Sequence, residues 1–173
     1  MTFQVGDTVV KPSLGLCKIM GMRTMVVDGR CEEYFIVLSG DVRVMVPRSR
    51  AEKGELRPAM TEEQLAALYH AFEEPLLADD HEPDNPYHLD PREMEKALAY
   101  RDPMAIAQWM RALFNHEKDI ALSRAEADLW TRMLRVLTEE ISFVEKTTKG
   151  KITVKIKGLM QAARKKRKER INR

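Results

Sequence analysis

Gly15-Leu16-Cys17-Lys18-Ile19-Met20-Gly21-Met22-Arg23-Thr24-Met25-Val26-Val27-Asp28-Gly29-Arg30-Cys31-Glu32-Glu33-Tyr34-Phe35-Ile36-Val37-Leu38 is the stretch that decides the fold. Leu, Ile, Met and Val dominate the segment from Gly15 to Val27, with a bend expected at Gly21. Asp28-Gly29 then supplies a two-residue hairpin signal, because a type I′ turn needs positive φ at both central positions. Glu33 to Leu38 is the return strand. Further along, Ser39-Gly40-Asp41 turns the chain again, and Val42-Arg43-Val44-Met45-Val46 alternates until Pro47 stops it. Upstream, Val9-Val10 is a short strand ended by Pro12, which has no N–H for a ladder. Four or five short strands with tight turns inside some sixty residues predict a small, strongly bent β-barrel.

Beyond Thr61 the hydrophobic period becomes helical. Thr61-Glu62-Glu63-Gln64 is a capping box, in which the threonine oxygen accepts an amide and the glutamine reaches back. Leu65, Leu68, Tyr69 and Phe72 follow on one face. Residues 73–89 contain Pro75, Pro83 and Pro86 among Asp79, Asp80, Glu82 and Asp84, a composition that predicts an extended linker. Asp90-Pro91-Arg92-Glu93, Asp102-Pro103 and Ser123-Arg124-Ala125-Glu126 each open a further helix. Their apolar stripes are Ile106, Trp109, Met110 and Leu113 in one, and Leu129, Trp130, Met133, Val136, Leu137 and Ile141 in another. Ile152, Ile156, Leu159, Met160 and Ala163 mark a last amphipathic helix running into Arg164-Lys165-Lys166-Arg167-Lys168. The predicted class is α+β: a β-barrel at 1–60, an all-α domain at 61–163 that includes the acidic linker, and a basic tail at 164–173.

Charge is distributed unevenly. From Lys146 to the end there are twelve Lys or Arg and one acid, a net of +11, so in a chain of total charge +2 residues 1–145 carry −9. An acidic body with a basic end directs only that end to a polyanion. Arg164 to Arg173 holds seven basic residues without interleaved aromatics, which predicts salt-sensitive, sequence-independent phosphate contact rather than base stacking.

Little in the chain suggests catalysis. His70, His81, His88 and His116 lack the spacing of a zinc site. Glu62-Glu63 and Glu139-Glu140 are helix neighbours that point apart, and all four are expected in solvent. Cys17 and Cys31 are expected as reduced core thiols. Walker, dinucleotide and nucleophile-elbow motifs are absent. No catalytic group, metal, cofactor or small-molecule substrate is therefore expected. Neither is a signal peptide nor a membrane span, and the expected location is cytoplasmic.

Two features together resemble a known family. Phe3-Gln4-Val5-Gly6-Asp7-Thr8-Val9-Val10-Lys11-Pro12 with Gly15 is one; Val44-Met45-Val46-Pro47 with Ala51 and Leu56-Arg57 is the other. They are similar to the RNA polymerase interaction domain of the CarD and CdnL transcription regulators, also present in the transcription-repair coupling factor. Asp102 through Leu137, including Leu113-Phe114 and Leu122-Ser123-x-x-Glu126, resembles the family's helical domain. The resemblance implies a Tudor-like barrel that docks on the bacterial polymerase β subunit, largely by adding a strand edge to a sheet. It also implies a helical domain that meets promoter DNA at the upstream edge of the bubble, so that the open complex closes less readily.

Carried onto this chain, the implied polymerase-facing residues are Arg23, Thr24, Met25, Arg43, Met45 and Pro47. Family arginines align with Met25 and Met45, and Arg23 and Arg43 lie two residues earlier on the same strands. On the DNA side, the family's Trp-x-Arg-Arg falls on Tyr87-His88-Leu89-Asp90, where the paired arginines are lost. The candidate DNA contacts are Tyr87, Arg92, Arg164, Lys165, Lys166, Arg167, Lys168 and Arg170. Two functions stay open: modulation of initiation by bridging polymerase and promoter DNA, or an adaptor of the same fold that has lost DNA contact and recruits another protein.

Overall fold

The computed structural model describes residues 2–74, 89–116 and 121–171, and the chain divides into two units, Met1–Ala59 and Met60–Arg173. The first unit holds strands β1 (Thr8–Lys11), β2 (Gly15–Val27), β3 (Arg30–Ser39), β4 (Val42–Pro47) and β5 (Arg57–Pro58). A short helix, α1 (Arg48–Arg50), and a π-helical turn at Ala51–Glu55 separate β4 from β5. The strands form one sheet in the order β4-β3-β2-β1-β5 with every pair antiparallel. Among the described residues no ladder joins β4 to β5, so pairing establishes an antiparallel sheet rather than the closed ring expected of a barrel.

Local sequence explains each feature of this sheet. Asp28 and Gly29 take φ of 51° and 76° and connect β2 to β3, as the primed turn requires. The β2–β3 register shifts between Ile19 and Gly21, which puts a bulge at the expected bend and lets the 13-residue β2 pair with β1 at one end and β3 at the other. Gly6, at φ 98°, turns the N-terminal segment so that its N–H donates to Ile19 O at 2.8 Å while Ile19 N–H donates to Asp7 O at 2.9 Å. One face of the sheet buries Phe3, Val9, Cys17, Ile19, Phe35, Val37 and Val46 together with Ala51 and Leu56. Phe3 meets Phe35 edge to face at 6.4 Å between ring centroids.

The second unit contains α2 (Glu62–Glu73), α3 (Pro91–Tyr100), α4 (Pro103–His116), α5 (Arg124–Glu145) and α6 (Lys149–Ile171). Both capping boxes form: Thr61 with Gln64 opens α2, and Ser123 with Glu126 opens α5. Each such cap contributes about 1 kcal/mol. Asp90 caps α3 ahead of Pro91, and Asp102 Oδ1 accepts the Met104 and Ala105 amides at the start of α4. The expected stripes converge on one core, with Leu68, Phe72, Met94, Ile106, Met110, Leu113, Met133, Leu137, Ile141, Ile152 and Ile156 almost wholly buried. Trp109 and Trp130 are partly buried against it.

Two sequence expectations are corrected. Cys17 lies in the core with its S–H directed at Gly15 O, but Cys31 is exposed beside the hairpin turn, because β2 and β3 extend past the residues that cover the core. Glu140, expected in solvent, is only 4% exposed, and its Oε1 accepts the Met60 N–H at 2.8 Å. A long helix packed by neighbours on more than one side buries a wider arc than its apolar stripe, and this carboxylate satisfies an amide within that arc. Glu139 does reach the surface, between Arg101 at 3.4 Å and Lys149 at 3.6 Å.

Candidate functional site

Register decides which strand residues share a face, since cross-strand partners lie side by side and neighbours in sequence alternate. The rows opposite the core are Lys18–Leu38–Arg43, Gly21–Ile36–Met45, Arg23–Tyr34–Pro47 and Met25–Glu32. Arg23, Met25, Arg43, Met45 and Pro47 are therefore gathered on one outward face across β2, β3 and β4. Thr24 pairs with Glu33 and belongs to the other face, in the part of the hairpin beyond the core. Arg23, Arg43 and Met45 are exposed, while Met25 and Pro47 are half-buried.

This face combines cations with polarizable apolar groups. Lys18, Arg23 and Arg43 make no ion pair among the described residues, and Met45 and Ile36 lie between Arg43 and Arg23 in the register. Tyr34 donates its hydroxyl to Glu32 at 3.3 Å, and Ser49 donates to the other oxygen of Glu32 at 2.8 Å. Lost hydration, and then the Glu32 charge, hold the Tyr34 phenol above its ordinary pKa, so it remains a neutral donor. Arg48 binds Glu33 at 2.8 Å and Glu52 at 2.9 Å, fastening the segment after β4 to the hairpin.

β4 is also the border of the sheet. An edge strand presents every second N–H and C=O to an incoming strand, and natural proteins blunt such edges unless they are used. Here Val42 and Met45 are exposed along it, and Pro47 ends it. Lys18, Tyr34 and Ile36, which the sequence reading did not select, share the face. Counting back from the Asp28-Gly29 turn would have found Tyr34 and Ile36; the bulge near Gly21 shifts the count before it reaches Lys18.

The residues expected to meet DNA separate into distinct groups. Tyr87 lies outside the described residues. Arg92 is exposed in the first turn of α3, with its amide bound to Asp90 Oδ1 at 2.8 Å. Arg164 turns inward: its guanidinium lies 3.8 Å over the Phe114 ring and donates to the Phe114 carbonyl, and Phe114 stacks on Trp130 at 6.2 Å. Arg167 lines the same small depression, with Arg111, Glu74 and Asn115. Helical period explains this, because Met160, Ala163 and Arg167 continue the buried stripe and the arginine stem covers apolar surface. Lys165 and Lys166 are exposed. Lys168 and Arg170 belong to α6 by their backbone, and their side chains lie outside the description.

Among the described residues no three His, Cys, Asp or Glu side chains are placed to hold a metal ion, and no helix is long and apolar enough to cross a membrane. Among the described residues of the first unit, the β4 edge has no ladder partner and lies beside a face that carries cations and methionines. Residues 3–60 match the family model of the CarD-like/TRCF RID domain, a match that spans nearly all of that unit. The first unit thus carries a CarD-like domain along nearly its whole length. The domain marks an RNA polymerase-interacting, transcription-related protein.

Proposed function

We propose that the chain binds the RNA polymerase β subunit through the β4 edge and the face carrying Arg23, Met25, Arg43, Met45 and Pro47, and that its helical unit contacts promoter DNA to modulate open-complex stability. The observation that carries the reading is the coincidence of the matched domain with an edge strand that has no ladder partner, and cations that make no ion pair, among the described residues. Strand addition supplies main-chain hydrogen bonds, while Arg43 and Met45, on the strand that forms the edge, supply side-chain selectivity. Basic residues at the far end of the chain supply the phosphate contact. A protein of this kind needs no catalytic group. Binding the open promoter complex better than the closed one shifts the equilibrium by the difference in affinity. The protein acts in the bacterial cytoplasm, held at the nucleoid by polymerase.

The test is the lifetime of open promoter complexes challenged with a DNA competitor, with and without the purified chain. The chain lengthens that lifetime and Arg43→Glu removes the effect. Equal lifetimes with and without the chain would leave the adaptor alternative, in which the same fold recruits another protein and DNA contact is lost.

A further inference from the structure

α6 is more than a carrier for a basic tail. Ile152, Ile156, Met160 and Ala163 are buried and define its inner stripe. At 100° per residue, Lys151, Val154, Gly158, Gln161, Ala162 and Lys165 fall on the opposite side, with Lys157 and Lys166 on its two shoulders. All eight are exposed, Val154 to 73%. Lys151, Lys157, Lys165 and Lys166 form no ion pair among the described residues, whereas Lys149 is held by Glu139 and Lys155 by Glu145 at 2.8 Å. Glu169 is the one acid among the described residues of the helix.

We propose that this outer face of α6, from Lys151 to Lys165, is a binding surface for the phosphate backbone of duplex DNA. The inference deepens the DNA contact of the proposed function, moving it from the terminal basic run to a ridge beginning more than three turns earlier. Lys151 and Lys165 are separated by about 21 Å along the axis, enough to meet phosphates well apart on a duplex rather than one local anion. The centre of the ridge is narrow: Gly158 has open space around its Cβ position, and Ala162 carries only a methyl group. A backbone can therefore approach closely while the lysines reach past it on both shoulders.

Helix electrostatics give an independent argument. Lys151 occupies the first turn of α6, which has no acid of its own. Cations there oppose the positive end of the helix dipole, and a bound phosphate relieves that opposition. The partner is a duplex because the ridge has no aromatic side chain on which unpaired bases could stack. An anionic membrane surface is disfavoured for a related reason, since no Trp or Phe accompanies the lysines.

The experiment is fluorescence anisotropy of the full-length chain with a labelled blunt duplex, without polymerase, across a series of salt concentrations. Each lysine that meets a phosphate contributes about 0.9 to the slope of log Kobs against log salt, so Lys151→Gln, Lys157→Gln and Lys165→Gln together flatten it by about 2.7. Arg124→Gln, at the exposed start of α5, leaves the slope unchanged. A triple variant with the parent slope, tighter binding to the corresponding single strand, or tighter binding to phosphatidylserine vesicles would each overturn the proposal. Because polymerase is absent from this measurement, its failure is distinct from failure of polymerase docking.

Discussion

Two adjacent basic residues are predicted to fail in opposite ways. Arg164 faces inward, over the Phe114 ring and bound to the Phe114 carbonyl, while Lys165 faces outward. Replacing Arg164 with Gln removes a cation–π contact of about 0.5–2 kcal/mol and a charge-assisted hydrogen bond of about 1.5–3 kcal/mol if fully buried. Arg164 is half-buried, so the lower ends apply and the loss is about 2 kcal/mol. For a helical unit of this size that lowers the melting temperature by roughly 6–10 °C. Lys165→Gln removes no hydrogen bond or ion pair among the described residues and changes the melting temperature by less than about 2 °C. Far-UV circular dichroism melts read stability, and duplex anisotropy reads binding. The expected pattern is an unstable Arg164→Gln with a salt slope close to the parent, and a stable Lys165→Gln whose slope falls by about 0.9. If Arg164→Gln melts like the parent and loses duplex affinity as Lys165→Gln does, the division of the basic run into inward and outward residues is wrong.

Two further outcomes follow from the helical unit. Gly158→Ala should raise stability by about 0.5–1 kcal/mol, because an alanine fits a helix interior better and its Cβ meets nothing within 4 Å; thermal melts check it. Glu95 accepts two hydrogen bonds from Arg132, at 2.6 and 2.9 Å, and these hold its carboxyl below the usual glutamate range. A carboxyl whose pKa is lowered on folding stabilises the fold above its unfolded value and ceases to do so as the pH falls through the folded value. Glu95→Gln should therefore lower stability modestly at neutral pH and leave it unchanged at low pH, flattening the acid limb of a stability–pH curve measured by urea unfolding.

The order of elements was readable because local chemistry and global fold agree. Asp28-Gly29, Gly21 and Pro47 mark turn, bend and stop, and α2, α3 and α5 begin at their side-chain caps. Ring closure could not be read, because whether β4 meets β5 depends on curvature accumulated over the sheet and not on any local signal. The outward face was partly readable. Period-2 alternation puts Arg43 and Met45 together with certainty within one strand, but Thr24 was grouped with Arg23 by adjacency although alternation sends it to the other side. Glu140 was misread because a helix's own stripe says nothing about how many neighbours surround it. In the basic run, composition showed charge, but only the continuation of the buried stripe through Ala163 and Arg167 separates residues that pack from residues that face water.

Direct titration of the purified full-length chain with purified polymerase β subunit tests the central claim most plainly. The parent chain binds, Arg43→Glu weakens binding by about tenfold or more, equivalent to about 1.4 kcal/mol, and Lys165→Gln does not alter it. A parent chain that does not bind, or an Arg43→Glu variant that binds equally well, contradicts the assignment of the β4 edge and its outward face to polymerase docking.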